Sequence, residues 1–328
     1  MFVNRLGDHN LSVDEHATLD DFFNMTRSDL EKVMDTIITE KEIRDILQGG
    51  KRLRPLLSQL AFKACTSGTE PVEKYRRCLE GSLCIELAHS ASLVHDDIID
   101  KDDMRRGKKA FHITEGISRA LITGHKMLTK GFNIALSHGK GIAEVYVDSW
   151  HRVLNGEIME VDFNDSSSKN VSMKSQIFEA YHQIIDLKTA ALFSSSCKAG
   201  AMEADMVGDI LNVFSSFGRE IGIAYQLADD LVDLEQGEMI ESVILPLLTR
   251  LGMKQKVNML KKQEIKLFFS KNKEKIKEFY IDEIKKHVKN AEEISHSDLI
   301  PESHYKTLLS EAPSFIINAM LREINITV

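Results

Sequence analysis

The chain has 328 residues, of which 43% are hydrophobic and 28% charged, and its formal net charge is −8 at pH 7. This acidic balance excludes a typical nucleic-acid binder, which would present a basic face. No apolar run approaches the roughly 18 residues that a membrane helix needs, so stable membrane insertion is not expected. The cysteines lack metal-ligand spacing and predict buried, reduced thiols in a cytoplasmic protein. They are Cys65, Cys78, Cys84 and Cys197.

Helical spacing of apolar residues continues along most of the chain, and only five prolines interrupt it. Residues 1–15 are polar and predict a loose tail. Helices are predicted at about 17–47 (two), 55–65, 71–97, 114–137, 142–162, 172–201, 205–235 and 305–323. A charged loop at 101–109, a polar segment at 164–170 and a less regular piece at 236–252 separate some of them. No repeat or polar linker marks a boundary, so residues 16–328 are predicted to form a single all-α domain.

Two aspartate clusters with the same spacing end long apolar helices. They are Asp96-Asp97-Ile98-Ile99-Asp100 and Asp229-Asp230-Leu231-Val232-Asp233. Residues i and i+4 share one helix face, so the first and last carboxylates of each cluster lie together. Such pairs repel unless a cation lies between them, and Mg²⁺ typically combines one or two carboxylates with water and phosphate. Solvated helix ends are the alternative, which the repetition after two apolar helices disfavours.

Basic and polar side chains accompany these clusters. The candidates are Lys51, Arg52, Arg54, His89, Arg105, Arg106, Lys188, Thr189 and Gln226. Singly, each has an ordinary structural explanation, such as a core histidine or an ion-paired lysine. Together with paired carboxylates they predict bound diphosphate, because arginine binds phosphate in a fork and lysine as a point charge. Two groups of cations predict two diphosphates, and metal-assisted departure of one of them is the chemistry that follows.

Six stretches of the sequence carry a resemblance to a known family. They are GGKRLRP (49–55), ELAHSASLVHDD (86–97), DMRRGK (103–108), GEI (156–158), KTAALF (188–193) and GIAYQLADD (222–230). As a set they resemble the motifs of the trans-type polyprenyl diphosphate synthases, over the chain from about residue 40 onward. The resemblance implies an antiparallel helical bundle around a central cavity, the isoprenoid synthase type I fold, in an enzyme that is usually a homodimer.

The resemblance also implies roles for individual residues in condensing isopentenyl diphosphate with an allylic prenyl diphosphate, with Mg²⁺ as cofactor. The implied metal ligands are Asp96, Asp97, Asp100, Asp229, Asp230 and Asp233. The implied isopentenyl diphosphate site is Lys51, Arg54, His89 and Arg106, and the allylic diphosphate site includes Arg105, Lys188 and Gln226. The implied catalytic residues are Lys188, Thr189 and Gln226, of which the last two would steady the allylic cation.

Small side chains precede the first cluster on the helix along which the product should grow. Ala88, Ala91 and Ser92 are too small to close a cavity, whereas short-chain members of the family resemble this helix but carry aromatic rings there. We therefore predict a trans-polyprenyl product of twenty or more carbons. Leu128 or Phe132 on the next helix is the predicted floor.

Two stretches depart from the family's pattern. The segment after Asp233 is shortened and acidic, lacks the two lysines that usually follow, and carries Ser242 where one of them is expected. His125 follows Gly124 where the family usually has aspartate.

These departures leave three interpretations open. The chain is an elongating synthase with a trimmed lid, a same-fold enzyme that cyclises the prenyl group or transfers it to another acceptor, or a regulatory subunit of a heteromeric synthase. The intact isopentenyl diphosphate site favours elongation, since a cyclase has no use for it. The intact aspartate clusters disfavour a regulatory subunit.

Overall fold

The computed structural model describes residues 18–166, 177–236 and 262–328, and these are almost entirely helical. The helices are α1 (Leu19–Ile37), α2 (Lys41–Leu47), α3 (Leu53–Thr66), α4 (Val72–Ile99), α5 (Phe111–Glu115), α6 (Ile117–Ser137), α7 (Lys140–Ser166), α8 (Ile177–Ile185), α9 (Ala191–Glu203), α10 (Asp209–Gln236), α11 (Lys262–Ser295) and α12 (His304–Leu321). A 3₁₀ turn, Arg322–Ile324, follows α12. The prediction of an all-α protein is confirmed. The predicted tail and most of the segments predicted at 164–170 and 236–252 lie outside the described residues.

The first helix shows why local sequence and packing agree. Thr18 and Asp21 form a reciprocal capping box that satisfies free backbone N–H groups at the start of α1. Phe22, Phe23 and Leu30 then recur at helical spacing, and all three are buried. Helix α1 is thereby fixed against the rest of the core.

Helices α3, α4, α9 and α10 form the centre of the bundle and are buried on most sides. Small residues let their backbones approach closely. A Cβ atom added at Gly200 of α9 would lie 2.0 Å from the carbonyl oxygen of Ser58 on α3, so only glycine fits there. Despite this burial, none of the described helices combines the length and the apolarity needed to cross a bilayer.

The segment predicted as one helix at 172–201 is interrupted by a π-helical turn. Helix α8 ends at Ile185, the turn covers Asp186–Ala190, and α9 continues to Glu203. Wider turns of this kind are frequent at functional sites, and this one carries Lys188 and Thr189. A Cβ at Gly156 of α7 would lie 2.9 Å from the backbone nitrogen of Lys188, which explains the glycine of the GEI stretch.

The predicted charged loop after α4 contains a short hairpin, β1 (Met104–Arg105) and β2 (Lys108–Lys109), in antiparallel register. Its two turn residues, Arg106 and Gly107, have φ values of 50° and 72°. Positive φ at both central positions matches the right-handed twist of a two-residue hairpin. The sequence analysis predicted only a charged loop here, because the surrounding charged residues give no alternating apolar pattern that would indicate strands.

Candidate active site

Two adjoining cavities lie near the C-terminal ends of α4 and α10. The larger, the cation cavity, has a volume of about 380 Å³, and its basic lining is Lys51, Arg52, Arg54, His89, Arg105, Arg106 and Lys188. The smaller, the aspartate cavity, has a volume of about 260 Å³, and its lining includes Asp96, Asp100, Asp229, Asp230 and Asp233. The residues Leu93, Asp96, Arg105, Lys188, Thr189, Gln226 and Asp229 line both. The structure therefore brings the predicted cations and carboxylates together.

Arg54, on the first turn of α3, reaches the wall of the cation cavity with part of its guanidinium group unsatisfied. Its Nε atom is buried without a hydrogen-bond partner in the described part of the chain. Its Cζ atom lies 4.5 Å from the centroid of the Phe193 ring. Burial lowers the pKa of Arg54, although arginine stays charged at neutral pH. An anionic ligand with several oxygens would satisfy this group.

The neighbouring Arg52 is bound by the protein itself. Its Nη1 lies 2.8 Å from Glu86 on α4, its Nε lies 2.9 Å from Glu31 on α1, and its side chain is 2% exposed. Arg52 adopts a left-handed backbone with φ of 57°. A Cβ at Gly50 would lie 2.3 Å from Arg52 Nη1, so glycine gives this side chain its room. Arg52 therefore ties α1, α3 and α4 together.

The other cations of this cavity surround His89. Burial, Arg54 and Arg106 all lower the pKa of His89 well below its ordinary value, so the imidazole is neutral and has one ring N–H to donate to a ligand. The left-handed hairpin residue Arg106 is held by a 3.2 Å hydrogen bond to the carbonyl oxygen of Gln48. Lys51 is exposed on the cavity wall. Four predicted residues thus form one wall.

Lys188, carried by the π-helical turn, contacts three carboxylates. Its Nζ lies 2.6 Å from Glu160, 3.0 Å from Glu157 and 3.6 Å from Asp96. Burial alone would lower the pKa of Lys188, but Asp96 and the two glutamates raise it above its ordinary value. Neither Glu157 nor Glu160 was predicted from the sequence as a site residue. Their i, i+3 spacing on α7 was the available signal.

Glu157 and Asp96 are two neighbouring buried carboxyl groups whose pKa values are both raised. Burial first, and then the Asp96 charge, raise the pKa of Glu157 to about 8, and burial also raises the pKa of Asp96. The folded protein therefore retains a proton on Glu157 that the unfolded chain releases near its ordinary pKa.

This proton predicts a pH dependence of stability. The free energy of unfolding of the ligand-free protein should fall as pH rises from about 5 to 8, because unfolding then releases the Glu157 proton. Release of this one proton should lower the free energy of unfolding by up to about 1.4 kcal/mol for each pH unit in this range. Glu157→Gln cannot titrate and should flatten this part of the curve, as measured by urea unfolding at several pH values. An equal slope in the variant would contradict the assignment.

A chain of hydrogen bonds orients the second aspartate cluster. Thr189 Oγ1 donates to Gln226 Oε1 at 2.7 Å, and Gln226 Nε2 donates to Asp230 Oδ1 at 3.0 Å. Tyr181 on α8 donates to the other oxygen of Asp230. Burial raises the pKa of Asp230 to about 7, although these two hydrogen bonds oppose the shift. Tyr181 escaped the sequence analysis because nothing distinguishes it from other aromatic residues on an amphipathic helix.

Asp97 lies apart from the other five cluster aspartates. It lines a separate pocket beside the hairpin, and Arg105 donates to Asp97 Oδ1 from Nε at 2.7 Å and from a terminal nitrogen. Arg105 itself lines both cavities. In this structure Asp97 orients Arg105.

The aspartate cavity fits Mg²⁺ by the chemistry of its oxygen donors. Burial raises the pKa values of Asp96, Asp100 and Asp229, so their charged forms would gain from a nearby cation. Within the described residues, no three cluster aspartates bring their oxygens within 4.8 Å of one another. Each ion would then take one or two carboxylates and complete its shell with phosphate and water, the usual Mg²⁺ arrangement.

The predicted chain-length residues differ in position. Ser92 lines the cation cavity and donates to the carbonyl oxygen of His89 at 2.8 Å. Ala88 and Ala91 are fully buried and line neither cavity. Leu128 packs against the two apolar clusters that contain Ala91 and Ala88. Phe132, in contrast, is 37% exposed. Leu128 is therefore the better candidate for a deep floor.

The substitution at position 125 lies away from the cavities. The Nδ1 atom of His125 is 2.7 Å from the carbonyl oxygen of Leu121, and the ring lies 5.2 Å from that of His95 between centroids. A Cβ at Gly124 would lie 2.3 Å from His95 Nε2, so glycine makes room for that ring. His125 thus belongs to the contact between α4 and α6.

The acidic segment after the second cluster is described only as far as Gln236, so Ser242 lies outside the described residues. Glu235, two residues beyond Asp233, pairs with Lys273 at 2.8 Å and Lys277 at 3.5 Å, both on α11. Lysines thus lie near this end of α10, but they come from a later helix and are bound to a glutamate.

Comparison with known families identifies the family to which the chain belongs. A model of the polyprenyl synthetase family matches residues 37–242. This chain therefore belongs to the polyprenyl synthetase family. The match covers all the predicted site residues.

Known relatives have named products. The geranylgeranyl diphosphate synthase of Methanosarcina mazei is 30% identical over 199 residues, which are 58% of this chain and 57% of the relative. The octaprenyl diphosphate synthase of Escherichia coli is 30% identical over 187 residues, 56% of this chain and 54% of the relative. The chain spans little more than half the length of these relatives.

Solved structures extend the similarity beyond the aligned sequence. The geranylgeranyl pyrophosphate synthetase of Pyrococcus horikoshii has a TM-score of 0.74 and 23% identity, covering 91% of this chain and 97% of that one. A polyprenyl synthase from Caulobacter crescentus, solved with calcium and isoprenyl diphosphate, has a TM-score of 0.74 and 21% identity, covering 92% and 97%. These likenesses confirm the predicted isoprenoid synthase fold.

Proposed function

We propose that this protein condenses isopentenyl diphosphate with an allylic prenyl diphosphate to make a trans-polyprenyl diphosphate. The observation that carries the proposal is the pair of adjoining cavities, one lined by Arg54, His89 and Arg106 and the other by the aspartates. A site for one diphosphate would need only the second cavity. Two adjoining anion sites with different chemistry match a reaction between two diphosphates.

The cation cavity holds isopentenyl diphosphate in this proposal. Arg54, Arg106 and Lys51 bind the phosphate oxygens by charge-assisted hydrogen bonds, and neutral His89 donates one more. No aspartate cluster is needed for this diphosphate, because it does not depart. Ser92, in the wall of the same cavity, leaves room for the hydrocarbon part.

The aspartate cavity holds the allylic diphosphate. Asp96, Asp100, Asp229, Asp230 and Asp233 would hold Mg²⁺ there, and the bound ions supply charge neutralisation for the departing diphosphate. Lys188 and Arg105 donate to the same phosphate oxygens from the shared wall.

Thr189 and Gln226 lie where the allylic cation would form. Their side-chain oxygens are joined by a 2.7 Å hydrogen bond in which Thr189 is the donor. The second lone pair of Gln226 Oε1 and the oxygen of Thr189 offer partial negative charge to a carbocation. The hydrogen bond from Gln226 to Asp230 fixes the amide orientation.

We propose a product of twenty or more carbons, in line with relatives named geranylgeranyl, geranylfarnesyl and octaprenyl diphosphate synthase. Ala91→Phe should shorten the product, because a ring at this fully buried position would narrow the path along α4. Overpacking should also cost about 1–3 kcal/mol of stability. Ser92→Phe, at a cavity-lining position, should shorten the product with a smaller loss. Mass spectrometry of the products, beside thermal melts, checks both variants; unchanged product length in both would contradict this path.

The proposed reaction is tested by incubating the purified chain with Mg²⁺, isopentenyl diphosphate and farnesyl or geranylgeranyl diphosphate. Longer diphosphates identified by mass support the proposal. Hydrocarbons or terpene alcohols would support a cyclase or transfer to another acceptor, and turnover only after addition of a second protein would support a regulatory subunit. A product that stops at fifteen carbons would contradict the proposed length.

We further propose that residues 16–328 form one domain that assembles as a homodimer in the cytoplasm. Exposed apolar side chains are concentrated on α6 and α7, where Ile122 is 69% and Ile158 60% exposed. Such a concentration is typical of a protein interface. A different synthase subunit at this face would give a heteromer, which sedimentation of the pure protein distinguishes. The cysteines are buried and free, as expected in a reducing compartment.

A further inference from the structure

A second cluster of potential metal ligands lies outside both cavities. It consists of His182 on α8 and of Glu283 and His287 on α11, and one ligand atom from each lies within 4.8 Å of the others. His182 Nε2 is 3.9 Å from Glu283 Oε2, and the two imidazole rings are 5.9 Å apart between centroids. Glu283 and His287 are four residues apart and share one helix face. Among the described residues, this is the one group of three such side chains with this spacing.

The orientation of His287 points independently to a metal ion. Its Nδ1 lies 2.7 Å from Glu220 Oε2 on α10. Its Nε2 is buried and has no hydrogen-bond partner among the described residues, and the side chain is only 9% exposed. Histidines that bind metals usually donate their other ring N–H to a carboxylate, which fixes the ring and directs the free nitrogen to the ion. Asn290 Nδ2 donates to the same Glu220 oxygen at 3.0 Å and holds the carboxylate in place.

We propose that His182, Glu283 and His287 form a zinc site. Two imidazole nitrogens and one carboxylate are a common Zn²⁺ ligand set that leaves a fourth position for water. Mg²⁺ is disfavoured, because it prefers oxygen ligands in a regular octahedron. Lys286, whose Nζ lies 3.3 Å from Glu283 Oε2, would be displaced from that oxygen.

Zinc at this site would hold the second aspartate cluster in place. The ion joins α8 to α11, and Glu220 extends the connection to α10. The residue before His182 is Tyr181, which donates to Asp230. The site therefore fixes the helix that orients Asp230, and it does not depend on which reaction the cavities perform.

Zinc retention tests the site directly. The full-length chain, loaded with zinc and dialysed against excess Mg²⁺, is expected to keep one zinc ion per chain by elemental mass spectrometry. His287→Gln and Glu283→Gln should lose it, and Glu220→Gln should bind zinc about 10–100-fold more weakly in chelator competition. His296→Gln is the matched control, because His296 is exposed one residue beyond α11. Zinc that is not retained, or that His287→Gln retains equally, would overturn the proposal.

X-ray absorption on the zinc-loaded wild-type chain removes any dependence on how the variants fold. The expected first shell contains two imidazole nitrogens at about 2.0–2.1 Å and oxygen. A shell of oxygen alone would place the ion on the aspartate clusters and overturn the proposal.

Discussion

Asp229→Asn is expected to lower kcat/KM for the allylic diphosphate by about 10²–10³-fold, the size of effect seen when one preorganised electrostatic group is removed from an active site. Asp229 lines both cavities. Burial raises the pKa of Asp229, and the nearby charges of Lys51 and Arg105 oppose that shift. The carboxylate therefore lies where it can bind a cation that also contacts the diphosphate. Asparagine keeps the shape and removes the charge. Steady-state kinetics over a range of Mg²⁺ concentrations should show that added Mg²⁺ does not restore the rate.

Asp97→Asn separates metal binding from positioning. Asp97 faces Arg105 outside the two cavities, so its loss should act through Arg105 and raise KM about tenfold, the effect of one charge-assisted hydrogen bond. Asp209→Asn, at an exposed position in the first turn of α10, is the control and should leave kcat and KM unchanged. Equal losses at Asp97 and Asp229 would contradict the division that the structure makes between them.

The sequence predicted the elements of this fold because the controlling signals are local. Apolar spacing placed the long helices other than α11 to within a few residues. The two aspartate clusters were correctly predicted to end long apolar helices, α4 and α10. The π-helical turn at Asp186–Ala190 was missed. In this turn the backbone hydrogen bonds follow the π-helical i→i+5 pattern instead of the α-helical i→i+4 pattern. The turn packs against Gly156 of another helix, and a contact of this kind cannot be predicted from local helix propensity.

The roles of the charged residues in the candidate site could likewise be predicted only in part from the sequence. The sequence grouped Lys51, Arg52 and Arg54 as equivalent cations of one loop. Which of them is bound by the protein depends on Glu86, thirty-four residues beyond Arg52, and on a left-handed backbone at Arg52. Neither can be read from spacing, because both are consequences of packing between helices. Burial and partners, rather than residue type, separate the structural cation from the ligand-binding one.

Arg52→Gln and Arg54→Gln are therefore expected to have opposite effects. Arg52→Gln should lower the free energy of unfolding by about 3–5 kcal/mol, because it leaves the buried Glu86 carboxylate without its partner. Arg54→Gln should change stability little, since it removes a buried charge whose Nε has no hydrogen-bond partner in the part of the chain that the structure describes. It should instead lower kcat/KM for isopentenyl diphosphate about 10–100-fold through lost charge-assisted bonds. Urea unfolding and initial rates on the same preparations measure both quantities.

The pair forms its own control, because the two substitutions are chemically identical and lie two residues apart. Arg52→Gln that folds at low temperature should retain the wild-type KM for isopentenyl diphosphate, since Arg54, His89 and Arg106 still form that wall. A double substitution Arg52→Gln, Glu86→Gln should recover part of the lost stability, because no unpaired charge is then buried. If Arg54→Gln destabilised the fold as much as Arg52→Gln and left KM unchanged, Arg54 would be a structural residue. The proposal that the cation cavity binds isopentenyl diphosphate would then be wrong. A reaction of a single prenyl diphosphate would explain the site better.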